Sequence, residues 1–313
     1  MGERFTGTLP ASWGRLTRLG MLFLDGNALT GSLPAAWSTL RFLNILRLEN
    51  NRLQGPLPST WGVLRHLNTL HLSDNRLSGS LPAEWGALPC TSLQLQNNAL
   101  SGSLPAAWSG LRRVTVLNLG NNALTGSLPA AWNGMVVLSS LHLQNNRLSG
   151  SLPAEFANIT RMATLHLHNN SLSGTLPAAW SRMSSLTTVQ LSHNQLVGSV
   201  PEQWGSLRVR TVDLSANRLC GCLPGAWNRG GSGPIVVVDP AVSAPNCATV
   251  NVCDAVSPTT TTPPTTPSST STTTTTAPTT TPPTTTPLTT TAPTTTPPTT
   301  HSSTTTTTTT TTR

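Results

Sequence analysis

The stretch ALTGSLPAAW at residues 28–37 returns letter for letter at 123–132 and, with one change, as ALSGSLPAAW at 99–108. A segment that recurs at a fixed distance sets the architecture before any single residue does. An asparagine stands ahead of each copy and of each diverged equivalent: Asn27, Asn51, Asn75, Asn98, Asn122, Asn146, Asn170, Asn194 and Asn217, at spacings of 24, 24, 23, 24, 24, 24, 24 and 23. Working outward, one full unit reads Leu43-x2-Leu46-x-Leu48-x2-Asn51-x-Leu53-x-Gly55-x-Leu57-Pro58-x2-Trp61-x2-Leu64.

This unit resembles the leucine-rich repeat pattern, and it runs from residue 5 to about 228. It predicts an α/β-type solenoid, a horseshoe of about nine repeats with a parallel concave sheet. In ILRL (45–48) leucines alternate with variable residues, so Leu46 and Leu48 point inward and Ile45 and Arg47 outward. The asparagine column serves the backbone where the chain turns inward, as a ladder. Gly31 and its equivalents permit turn dihedrals, and Pro34 and its equivalents stop the strand and open the convex segment.

The nine tryptophans share one column three residues after the proline, from Trp13 to Trp227, and Phe156 fills the remaining register. A leucine or equivalent follows three residues later, so both lie on one face of a short helical turn. A residue needed in every repeat, replaced once by another large ring, fills volume. A ligand site would be local, so the tryptophans are expected in the core.

Three regions follow: a solenoid at 1–228, a disulfide cap at 219–254 and a stalk at 255–313. In the cap, LCGCLPGAW (219–227) carries Cys220 and Cys222, and Cys247 and Cys253 follow IVVVD (235–239). Cysteines at i, i+2 of an extended segment are poorly placed to bond each other, which favours the two pairings that send each to 247 or 253. Such a staple would cover the apolar end of the repeat stack. Cys90 stands where a core leucine belongs and is expected as a buried free thiol. The stalk is threonine broken by PP, AP and SS, with almost nothing to bury, so it reads as a disordered, mucin-like chain carrying sugars. Disulfides imply an oxidising compartment and hence a cell-surface or secreted protein. No leader, membrane span or lipid-anchor signal is visible, so membrane attachment is expected only through an anchor signal missing from this chain.

The repeat LxGxLPxxW, the CGCLPGAW cap with CATVNVC behind it and the threonine-rich stalk together resemble the promastigote surface antigens of trypanosomatid parasites and the related proteophosphoglycans. Plant-type receptor ectodomains share LxGxLP but usually carry leucine or isoleucine in place of this tryptophan. The resemblance implies display on a parasite surface, secreted or glycolipid-anchored, and contact with host cells or complement.

The chain has no lysine, no HExxH, no GxSxG and no CxxC, so neither an enzyme, a cofactor nor a metal is expected. With 18 arginines the formal net charge is +8, yet the arginines are dispersed along the sequence. Nucleic acid is therefore not expected as a partner; anionic glycans and host-cell surfaces fit better. The ligand face is read from outward strand positions: Asn118, His142, Gln144, His166, His168 and Gln190, polar residues with no aromatic anchor. His142, His166 and His168 are expected within about 5–7 Å of one another, so binding is expected to respond between about pH 5.5 and 7.5. Asn158 (NIT) and Asn169 (NNS) are N-glycosylation sequons, with Asn158 the more accessible. Two functions remain: a monomeric recognition and adhesion platform for a host-cell or serum protein or a glycan, or a coat glycoprotein whose stalk is the working part.

Overall fold

The computed structural model describes residues 5–228, 233–239 and 242. The outward–inward alternation closes into a ten-stranded parallel sheet, running from Met21–Phe23 through Ile45–Arg47, Ser140–His142 and Thr164–His166 to Thr211–Asp213 and Ile235–Val237. Its register is that of the repeat: Leu46 lies opposite Leu70, and His142 opposite His166. Leu46, Leu48 and their equivalents in the inner repeats have no solvent exposure, Leu22, Leu24 and Val236 at the two ends are partly buried, and Ile45 and Arg47 are only partly covered.

Each convex segment is a 3₁₀ turn, five residues long except for the last, Gly225–Asn228; Ala35–Thr39 is typical and is entered from an extended proline, Pro34, with φ −72° and ψ 118°. The proline carbonyl has two lone pairs, and both are used. Pro34 O accepts the backbone N–H of Trp37 at 3.1 Å and the indole N–H of Trp61 in the next repeat at 3.0 Å. The same indole bond, 2.8–3.0 Å long, holds Trp37, Trp61, Trp85, Trp108, Trp132, Trp180 and Trp204 to the preceding repeat. Those seven rings are fully buried, and neighbours stack with centroids about 6 Å apart. The core reading of the column holds, apart from Trp13 at the first turn, which is half-buried.

Asn51 shows how the inner column works. Its Nδ2 donates to Leu24 O, Leu48 O and Glu49 O, and its Oδ1 accepts from Leu29 N at 3.0 Å. Just before it lies a column with φ between 54° and 58°: Asn50, Asp74, Asn97, Asn121, Asn145, Asn169, His193 and Ala216. Asparagine and aspartate tolerate this left-handed region best among residues with side chains.

Two features correct the sequence reading. The LxGxLP stretch does not merely turn. Its residues pair into a second, eight-stranded parallel sheet along one flank, from Gln54–Pro56 to Arg218–Leu219. IVVVD also contributes more than a lead-in to the cap, because Ile235–Val237 adds the tenth concave strand beside Thr211–Asp213. The two 23-residue repeats are absorbed locally. Leu88 and Leu207, closing their 3₁₀ turns, are extended at ψ 139° and 144°, whereas Leu40 in a full-length repeat has ψ 64°. Cys90 fills its core position with no exposure, and burial pushes its thiol up to about 12.

Candidate functional site

Strand alternation places two polar columns side by side on the concave face. The first runs through Arg47, His71, Gln94, Asn118, His142, His166, Gln190 and Asp213, and the second through Glu49, Ser73, Gln96, Gly120, Gln144, His168, Ser192 and Ser215. All six residues expected on the ligand face therefore stand together on adjacent strands.

The histidines do meet. His142 Nδ1 and His166 Nδ1 are 3.0 Å apart with the rings edge to face, and the rings of His166 and His168 lie 5.9 Å apart. A 3.0 Å nitrogen pair requires one ring to donate and the other to accept, so at least one imidazole is neutral. Burial pushes all three below the ordinary imidazole value. At His166, repulsion from His142 and His168 adds to it and brings the pKa to about 4. His166 therefore lies below the expected window of about pH 5.5 to 7.5 and titrates in more acidic solution, while His142 and His168 are shifted in the same direction. Among the described residues no group of three His, Cys, Asp or Glu side chains could hold a metal ion.

Five buried side-chain polar atoms lack a hydrogen-bond partner among the described residues. Four belong to the second concave column: Glu49 Oε2, Gln96 Oε1, Gln144 Oε1 and His168 Nδ1. The fifth is the indole nitrogen of Trp227, last of its column. Buried polar atoms are ordinarily satisfied, so four unpartnered atoms in one column set this file apart from the rest of the described structure. Gln144 leans across Gly120, where an added Cβ would lie 2.6 Å from its Nε2. Glu49 and Gln96 were not singled out from sequence. Their signal was the second outward column itself, read at its N-terminal end. There Arg47 donates through Nε to Glu49 Oε1 at 2.7 Å and approaches Asp25 at 3.8 Å.

Away from this face, Asn158 is exposed at the end of Ala154–Asn158. Asn169 is exposed too, but it lies in the left-handed column and its Nδ2 donates to Asn145 Oδ1 at 2.7 Å. Cys220 and Cys222 are disulfide-bonded. Cys247, Cys253 and the whole of 255–313 lie outside the described residues.

The leucine-rich repeat family pattern matches residues 89–148 and 160–219, with a further single repeat at 66–88. The chain is a leucine-rich repeat protein, of a fold that typically serves as a binding scaffold rather than an enzyme. Its structural neighbours include plant receptor ectodomains. The TDR receptor is 32% identical with a TM-score of 0.72, over 75% of this chain and 41% of that one. The Arabidopsis receptor kinase HAESA, in complex with the peptide hormone IDA and the co-receptor SERK1, is 30% identical with a TM-score of 0.72, over 76% and 40%. A plant ice-binding protein is 28% identical with a TM-score of 0.64, over 78% and 81%. The chain thus spans about two-fifths of the receptor ectodomains. No curated protein matches it. Among the described residues no helix is long and apolar enough to cross a membrane.

Proposed function

We propose that the chain is the recognition head of an extracellular surface antigen, a non-enzymatic adhesion platform that takes an extended segment of a host-cell or serum protein along its concave face. The observation that carries this reading is the pair of adjacent, partly exposed polar columns on the concave face, which bring Asn118, His142, Gln144, His166, His168 and Gln190 together. These amide and imidazole side chains can both donate and accept hydrogen bonds, so they suit a ligand presenting N–H and C=O groups along its length. Binding of a peptide hormone by a receptor of the same fold is consistent with it. The parasite-surface assignment rests on the tryptophan-bearing repeat, the CGCLPGAW cap and the threonine-rich stalk, which would space the head from the membrane. Without an aromatic anchor the single contact should be weak, about micromolar, with display density compensating. The test is selection of a displayed peptide library on the full chain, followed by surface plasmon resonance with a Gln96→Ala, Gln144→Ala, His168→Ala variant. Selected peptides should lose at least about tenfold in affinity, which removing two or three net hydrogen bonds would produce. Peptides held equally by the variant would end the concave-face reading. Activity lost only on deleting 257–313 would favour the stalk as the working part.

The flank sheet favours a second reading of another class. Ser101, Ser103, Thr125, Ser127, Ser149 and Ser151 are exposed on adjacent strands, a regular hydroxyl array of the kind that could order water. A neighbour of the same fold is an ice-binding protein. Ice-recrystallisation inhibition, abolished by Thr125→Lys and Ser149→Lys, would support it; no inhibition in the full chain would dismiss it.

A further inference from the structure

Dispersed along the sequence, the arginines are gathered by the fold. The edge where each 3₁₀ turn ends and the chain rises to the next concave strand carries ten of them. Arg18, Arg113, Arg161 and Arg208 stand three residues before their strands; Arg41, Arg65 and Arg112 stand four before. Arg15 and Arg182 end their 3₁₀ turns, and Arg210 immediately precedes its strand. All ten are exposed.

Carboxylates are placed elsewhere. Asp25, Glu49 and Asp213 are on the concave face, Asp74 is in the left-handed column, Asp239 accepts from Ala216 N and Asn217 N, and Glu84, Glu155 and Glu202 are in the first turn of their 3₁₀ segments. Among the described residues the ion pairs involve Arg47 and His71, so the edge arginines are left without an acidic partner. Eight strand spacings, from the Met21–Phe23 strand to the Thr211–Asp213 strand, put the strip at about 40 Å long.

The edge is also shaped and hydroxylated. Asn44, Arg65, His66, Asn68, Pro89 and Arg113 line a shallow cleft of about 300 Å³. Arg65 and His66 are shared with a second cleft reaching Arg41. Directly inside the arginines run Thr91, Thr115, Ser139 and Thr187. Thr115, Ser139 and Thr187 donate their hydroxyl hydrogens to carbonyls of the preceding repeat at 2.9–3.0 Å, leaving oxygen lone pairs free to accept from outside.

We propose that this edge binds a linear sulfated polysaccharide, seated in the joined clefts between Arg41 and Arg113. The guanidinium fork matches a sulfate as it matches other oxyanions, and the inner amides and hydroxyls match the sugar hydroxyls between sulfates. A single-stranded nucleic acid needs a succession of aromatic platforms, whereas this edge offers one exposed ring pair, Phe42 on His66 at 5.7 Å. The strip is separate from the concave columns, so it stands or falls independently of the proposed recognition function.

The opposite flank supplies the control, because Arg52, Arg76, Arg147 and Arg218 are equally exposed and equally charged. The full chain is compared with an edge variant (Arg41→Ser, Arg65→Ser, Arg112→Ser, Arg113→Ser) and a flank variant (Arg52→Ser, Arg76→Ser, Arg147→Ser, Arg218→Ser), each with the same loss of charge. The probes are heparin, desulfated heparin and a single-stranded oligonucleotide of similar charge, in about 0.15 M salt. The edge variant should lose at least about tenfold in heparin affinity, and its slope of log affinity against log salt should flatten by roughly two to three units, as counterion release from a linear polyanion requires. The flank variant should stay within about threefold of the parent, and desulfated heparin should not bind. Equal losses in both variants would reduce the effect to net charge. An oligonucleotide bound as tightly as heparin, and lost with the edge variant, would make the strip a nucleic-acid site. Absence of heparin binding by the parent chain would overturn the proposal outright.

Discussion

Replacing Trp108 by phenylalanine isolates what one rung of the indole column contributes. Trp108 is fully buried, its Nε1 donates to Pro82 O at 2.8 Å, and its ring stacks on Trp132 at 6.3 Å. Losing the hydrogen bond costs about 1 kcal/mol net. Pro82 O still accepts the backbone N–H of Trp85 at 3.2 Å, so no carbonyl is orphaned and no larger penalty applies. The smaller ring gives up roughly 40 Å² of buried apolar area, about 1 kcal/mol. A residual void of roughly 30 Å³ adds about 0.7 kcal/mol. The sum is about 2.5–3 kcal/mol, borne by the neighbouring repeats because each repeat contacts only its neighbours. Urea unfolding followed by circular dichroism gives the total, and hydrogen exchange of peptides spanning residues 82–132 locates it. A loss below about 0.5 kcal/mol, or exchange that rises uniformly along the solenoid, would refute the reasoning. The chain holds its own counterpart: Phe156 offers no indole to Pro129 O, so Phe156→Trp should be far better tolerated than any exchange in the other direction.

Ala216→Gly should stabilise by about 1 kcal/mol in the same urea assay, because Ala216 sits at φ 54° where only glycine is unstrained and its backbone bond to Asp239 is kept. Gly86→Val should destabilise strongly, since a Cβ there would lie 2.2 Å from Ala107 O, and a melting temperature within a degree or two of the parent would contradict that. Acidification should loosen the central repeats. The folded pKa of His166, about 4, lies below its ordinary value near 6.5, so the unfolded chain binds more protons between them and stability falls as pH drops through that interval. His166→Gln should flatten the pH dependence of the melting temperature, and an unchanged profile would remove this histidine from the account. Glycopeptide mapping should find Asn158 more fully occupied than Asn169, whose amide is committed to the asparagine ladder.

The parts of the fold legible in the sequence are those set by one residue in one column. Leu46, Leu48, Asn51 and Trp61 each have a job that a single register displays, and repetition confirms it. The flank sheet was hidden because RLSGS (76–80) offers a glycine, Gly79, at φ 78° between small serines, which read locally as a turn. Its pairing comes from the neighbouring repeat, as in Ser149 beside Ser171. The arginine edge was hidden for a related reason: its members come from several registers, so no column shows them together. The meeting of the histidines followed from strand spacing alone. Their depressed pKa did not, because desolvation depends on what the adjoining strands cover.

The tryptophan and asparagine bonds share a property with consequences beyond one molecule. Every indole bond, and the asparagine bonds that leave their own repeat, join a residue to one 21–27 positions away, so each of these belongs to a junction between neighbours and none to the chain as a whole. Cutting out one unit brings two equivalent surfaces face to face, and inserting one creates a junction of the kind already present. Where the coding text is as uniform as the twin decamers at 28–37 and 123–132, misaligned recombination supplies such changes in a single event. Lineages can therefore drift in repeat number while every surviving copy still folds, and length becomes a heritable variable in its own right.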